Sequence, residues 1–199
     1  MAVAGFEEFL FVTYHNGVGV NGNQNIFFSL LKLSFYSSKL VPLIHEASLP
    51  LTKGSTLVWM GFTDEGTPAF ADSKNMVRVL NGRIWSPYCD MREHLLGPND
   101  NFWVVGLSEA SSVIRAVKCK GSKFPPTVPR PTLMMLETKI PLCEMETEKS
   151  QLEDTVLRSF NLSATTKRME KKGYDVEEFQ EQAEAKTKEA LFKLFTVTF

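Results

Sequence analysis

Residues 54–81 read GSTLVWMGFTDEGTPAFADSKNMVRVLN, and the alternation of short apolar runs with turn clusters in this stretch decides the fold class. Positions 57–62 form an apolar, aromatic-rich run of strand length, closed by Asp64-Glu65-Gly66. Positions 67–71 form a second run, closed by Asp72-Ser73-Lys74-Asn75. A third, 76–80, ends at the turn dipeptide Asn81-Gly82. Strands this short, joined by turns this tight, make an antiparallel meander, the unit of a propeller blade or a small barrel and a rigid docking surface.

The pattern extends on both sides. Segments 9–14 and 26–35 read as strands around the glycine-rich turn 16–22, and 102–107 and 113–119 as a hairpin around 108–112. Pro125, Pro126, Pro129 and Pro131 keep 121–131 out of regular pairing, and 133–141 predicts a last strand. The period then changes. Leu152, Val156 and Phe160 lie at i, i+4 and i+8, which predicts a helix over 144–160. A second helix, 175–195, follows Gly173; its Glu184/Lys188 and Glu189/Lys193 pairs have the favourable orientation, and Leu191, Leu194 and Phe195 cluster late. The chain is thus mainly β followed by α, a partial β-propeller over 1–143 and the start of a helical extension over 144–199. A blade takes about 40–45 residues, so 1–143 supplies roughly three, whereas closure needs at least four. Unclosed blades expose strand edges, so the chain is expected to be a piece of something larger, an expectation strengthened by strand-like sequence directly after Met1.

Composition is that of an ordinary globular protein, with 43% hydrophobic and 23% charged residues and a formal net charge of -1. Bulk charge therefore advertises neither nucleic acid nor membrane. Locally the balance shifts: between Glu109 and Glu137 every charge is basic, and from Glu144 onward acids outnumber bases. Cys89, Cys119 and Cys143, odd in number and far apart, fit buried thiols in a reduced, intracellular protein. Glu7 and Glu8 stand where a secretory leader would be basic. The most apolar stretch, 26–44, is interrupted by Lys32 and Lys39, which argues against a membrane span.

Four strings carry a resemblance: GSTLVWMGFTDEGTP (54–68), WVVG (103–106), CKGSKFPPTVPRP (119–131) and TEKSQLED (147–154), with Lys172-Gly173-Tyr174-Asp175 beyond them. Together, over most of 48–178 and less closely over 10–35, they resemble the SepB, or minichromosome loss protein middle, region of the replisome adaptor family known as chromosome transmission fidelity or acidic nucleoplasmic DNA-binding protein. The resemblance implies a nuclear, non-enzymatic scaffold: a six-bladed propeller followed by a helical bundle, assembled as a homotrimer. It also implies coupling of the replicative helicase to DNA polymerase alpha–primase and capture of short helical client peptides on the bundle. The family's amino-terminal WD-repeat propeller and carboxy-terminal HMG-box are absent from these residues, only the start of the bundle is present, and 196–199 departs from the family's continuing helix. Three blades cannot close the disc on which the trimer would rest. Two alternatives stand beside the scaffold: a direct DNA or chromatin-binding module, and a truncated gene product without function of its own.

Candidate sites are few. His15, His45 and His94 are scattered, and no Cys or His pair has metal-ligand spacing. No cofactor is expected. Cys89 and His94 lack a third, orienting group. Gly17, Gly19 and Gly22 spell GxGxxG, but strand follows where the dinucleotide motif needs a helix, so a hairpin turn is the reading. Trp59, Trp85 and Trp103 read as blade packing rather than a base-stacking platform. Arg115, Lys118, Lys120, Lys123 and Arg130 are the candidate DNA contacts, with Lys118 and Lys120 on one strand face by period-2 spacing, against a plainer reading as a solvated edge that deters strand pairing. The stripe Leu152, Val156, Phe160 is either core or one wall of a client-peptide groove.

Overall fold

The strand Pro68–Asp72 explains the layering, because all five of its residues are buried. Side chains alternate across a strand. Ala69 and Ala71 therefore face one neighbouring sheet while Phe70 faces another, and each joins a separate core cluster. In the computed structural model, which describes residues 1–19, 23–34, 39–95, 97, 99–128, 130–142 and 147–198, three antiparallel sheets stack in chain order. The first is β1 (Ala2–Phe6), β2 (Phe9–His15), β3 (Ile26–Ser34) and β4 (Lys39–Ser48). β5 (Leu57–Phe62), β6 (Pro68–Asp72), β7 (Met76–Asn81) and β8 (Ile84–Asp90) make the second, followed by a 3-10 turn, Met91–His94. The third is β9 (Asn101–Ser108), β10 (Val113–Cys119) and β11 (Leu133–Glu137). Within each sheet, strands pair in sequence order as a meander, and the first strands meet in turn, β1 against β5 and β5 against β9. These are three propeller blades, followed by the helices α1 (Glu148–Lys171) and α2 (Glu177–Thr198).

Between the first and second sheets lie Phe11, Ile26, Phe28, Phe70 and Leu80, with Trp85 meeting the Phe70 ring edge-on at 4.8 Å. Smaller side chains (Ala69, Ala71, Val77, Val79) meet Phe102, Val104 and Ile114 between the second and third. Asp72 organises the rim. Its carboxylate accepts hydrogen bonds from the Thr52 and Lys74 amides and an ion pair from Arg78 at 3.0 Å. Burial works against this charge, but the bonds from Thr52, Arg78 and Lys74 outweigh it and hold the carboxyl below its ordinary value.

Several boundaries differ from the sequence reading, each for a local reason. β4 and β8 are edge strands carrying Pro42 and Pro87, whose missing N–H groups are tolerated only at an edge. β11 stops at Glu137 rather than 141, because Thr138 turns back to the Ser112 carbonyl and the Ile140 amide is taken by Asp154 of α1. Helix α1 starts at a capping box in which Thr147 and Ser150 serve each other's amides. It runs well past Phe160 to Lys171, where Gly173, at φ 87°, ends it. α2 continues through 196–198. Phe35, Cys143, Pro129, Gly22 and Phe199, which figure in the sequence reading, lie outside the described residues. β2 and β3 pair antiparallel, and next to them the Asn16 amide is bonded to the Asn25 carbonyl at 2.9 Å, as in a hairpin.

Candidate functional site

Helix α1 crosses equivalent turns of the three blades. Lys172, just beyond its last turn, pairs with Glu7 in the β1–β2 turn of the first sheet at 2.5 Å and lies 5.2 Å over the Phe6 ring. Asn161 accepts a hydrogen bond from Asn81, the last residue of β7 in the second, at 2.7 Å. Arg168 donates to Thr67 in the β5–β6 turn at 2.5 Å. Against the third sheet, Thr165 donates to Glu109 in the β9–β10 turn at 3.0 Å, and Arg158 donates to the Thr138 hydroxyl and carbonyl. In a meander the first and third turns fall on the same edge, so α1 lies across one face of the blade stack and bonds to it largely through polar groups.

Glu109 is the centre of this junction. Its side chain is buried, and its two oxygens accept from Thr63 (2.9 Å), Thr67 and Thr165, with Arg168 at 4.0 Å. Burial pushes its carboxyl above the ordinary value, against hydrogen bonds from Thr67, Thr63 and Thr165 and the charge of Arg168. The string TDEGT (63–67) supplies the rest of the clamp. Glu65 accepts from Ser108 Oγ and from the Glu109 and Ala110 amides, and Asp64 pairs with Arg115 at 2.5 Å. Gly66, at φ 82°, has no room for a side chain: a Cβ there would sit 2.6 Å from the Phe6 ring of the first sheet. A stretch that reads in sequence as one tight turn thus ties three sheets and a helix together.

The basic block is divided. Arg115 is bound to Asp64, and Lys118, largely buried, to Asp100 at 3.1 Å. Lys120 lies beyond the end of β10, so it does not share a strand face with Lys118. Lys120, Lys123 and Arg130 are exposed and form no ion pair among the described residues. Lys120 and Arg130 flank a proline-walled groove, whereas Lys123 lines a separate cleft over β5 and β9.

The helix stripe divides as well. Val156 is buried and Leu152 half-buried, but Phe160 is 61% exposed and lines a cleft of about 290 Å³ between α1 and α2. The buried face of α1 holds Ser159, Thr165 and Thr166 instead. Among the tryptophans, Trp59 and Trp85 pack between sheets as expected; Trp103 is 41% exposed on the outer face of the third sheet, 6.0 Å from the Phe124 ring. Cys89 sits on β8, its thiol pushed up to about 11, chiefly by burial, while His94 Nε2 contacts the Glu137 carbonyl at 3.1 Å. A thiol held that far above neutrality is protonated and a poor nucleophile. No cluster of three His, Cys, Asp or Glu side chains suited to a metal exists among the described residues.

Stacked meanders crossed on one face by the first helix of an extension define a β-propeller portion joined to a helical region. The chain belongs to the family described as "Minichromosome loss protein, Mcl1, middle region", whose profile matches residues 1–142. It is 41% identical, over its whole length, to the human "WD repeat and HMG-box DNA-binding protein 1" and 40% identical to the Xenopus laevis protein of that name. A more distant relative, the Arabidopsis thaliana "Protein ENHANCER OF LHP1 1", is 27% identical over 85% of the chain. In each case the chain spans 18% of the relative's length.

Proposed function

We propose that this chain is part of a nuclear, non-catalytic replication scaffold that holds partner proteins together, with the replicative helicase and DNA polymerase alpha–primase as partners and a homotrimer as its assembly. The agreement with the relatives over the whole chain carries this reading. On this reading the client lies in the α1–α2 cleft, a reading supported by the exposed Phe160 ring at its lip. An amphipathic helix laid in such a cleft would bury the Phe160 ring. Replacing Phe160→Asp is expected to weaken capture of DNA polymerase alpha–primase about tenfold, the size of one missing apolar anchor, with an unchanged melting temperature because the ring is exposed in the folded chain. Equal capture by the variant sinks the cleft as the client site. Val156→Asp is the poorer test, since Val156 is buried and its replacement unfolds as well as unbinds.

A second reading, direct DNA or chromatin binding, is favoured by the exposed cations Lys120, Lys123 and Arg130, which form no ion pair among the described residues, and by the words "DNA-binding" in the relatives' name. Salt separates the two. Binding to phosphates falls steeply with log salt, and Lys120→Glu with Lys123→Glu would flatten that slope by about 0.9 for each phosphate no longer neutralised. Capture anchored by apolar rings tolerates the same salt.

A further inference from the structure

At the end of β10 opposite the Glu109 turn, described residues between Lys118 and Met134 wall a groove of about 690 Å³. Its lining is of two kinds. Phe124, Pro126, Pro131 and Met134 form an apolar surface, with the Phe124 ring 67% exposed and set against Trp103. Lys120 and Arg130 stand beside it as exposed cations without a carboxylate partner among the described residues, whereas Lys118, also in the lining, is already held by Asp100. No acidic residue lines the groove among the described residues.

We infer that this groove binds an acidic peptide segment of a partner protein, one apolar side chain seated against Phe124, Pro126, Pro131 and Met134 and flanking carboxylates on Arg130 and Lys120. Charge complementarity sets the sign of the occupant. Arg130 offers a planar fork that matches a carboxylate bidentately, and an exposed aromatic beside an arginine is the composition of a binding hot spot. Size sets the class. The volume is that of a pocket taking a few side chains, too small for a duplex, and two free cations are few beside the roughly 6–10 phosphates that a typical DNA-binding surface neutralises. The prolines add a stiff wall that loses little freedom on binding. The groove and the α1–α2 cleft share no lining residue, so the two can be filled together. The inference rests on the reading of the chain as a protein-binding scaffold but not on the cleft.

The test is fluorescence anisotropy on the whole chain with four labelled probes: a short peptide of Asp and Glu around one central Phe, the same peptide with Gly in place of Phe, a single-stranded oligonucleotide and a duplex. The Phe peptide is expected to bind, with affinity reduced about tenfold by Arg130→Glu, by Lys120→Glu and by Phe124→Ala, a reduction typical of a single hot-spot truncation. It should also exceed the Gly peptide by a similar factor, with Phe160→Asp leaving all of this unchanged. No binding of the Phe peptide, equal binding by the groove variants, or preference for the oligonucleotides overturns the proposal, the last in favour of nucleic acid. All three groove substitutions are at exposed positions, so an unchanged melting temperature separates impaired binding from impaired folding. Failure here with Phe160→Asp still releasing the polymerase would remove the groove and leave the scaffold reading standing.

Discussion

Glu109→Ala is expected to cost about 3 kcal/mol and to release α1 from the blades, the magnitude seen when one partner of a buried charged network is removed. Three hydroxyls, those of Thr63, Thr67 and Thr165, lose their acceptor in a site closed to water, and Arg168 loses its nearest buried carboxylate. Glu109→Gln behaves differently. The amide oxygen still accepts from Thr63 and Thr67, and the amide nitrogen can donate to a rotated Thr165 hydroxyl. The sign of its pH dependence follows from the raised carboxyl. Native protein holds an extra proton between the unfolded value of 4.5 and the higher folded one, so the stability from this group is complete below 4.5 and is lost as pH rises through the folded value. The glutamine, neutral throughout, should therefore match the wild type in acid and gain on it toward neutral pH. Urea denaturation from pH 4 to 7.5 measures both, with amide exchange in α1 reporting its release. If alanine is tolerated, or glutamine is as damaging as alanine at every pH, Glu109 is not the clamp.

How far the sequence discloses this arrangement depends on which interactions leave a periodic trace. Alternation and turn chemistry locate β5, β6, β7, β9 and β10 closely; Asn75, in the β6–β7 turn, sits at φ 62°, a conformation asparagine tolerates. β4 and β8 escape because Pro42 and Pro87 break the pattern, although a proline within such a run is itself the mark of an edge strand. The helix beyond Phe160 escapes for a different reason. Its buried side is Ser159, Thr165 and Thr166, and apolar periodicity cannot register a face that binds through hydroxyls. Glu109 leaves no trace at all. In SEASS it looks like any solvated turn acid, and its burial is decided by Thr63, Thr67 and Thr165, far away in the chain. The basic block shows the converse: a run of cations in sequence need not be a patch in space, because Asp64 and Asp100 reach Arg115 and Lys118 from other turns.

Phe70→Ala should be the most damaging single truncation in the blades, at about 4 kcal/mol, within the range for deleting a fully buried phenyl ring. β6 is packed on both sides, and its two faces are built differently. Ala69 and Ala71 let the third sheet approach closely, whereas Phe70 fills the wider gap to the first sheet, fully buried against Trp85. The Phe70 ring also lies 5.7 Å from the Arg78 guanidinium, so its removal loosens the Asp72–Arg78 pair at the rim. The damage should therefore be directional. Amides of β2 and β3 are expected to lose exchange protection by far more than those of β9 and β10, because the interface emptied is the one between the first and second sheets. Phe70→Leu keeps most of the volume and should cost about 1–1.5 kcal/mol. A cost below about 1 kcal/mol for the alanine would mean that the first sheet is held chiefly by its own pairing and by Phe6, Phe11 and Phe62. Equal loss of protection on both sides would mean that the blades melt as one unit, and that stacking them adds cooperativity the separate clusters do not suggest.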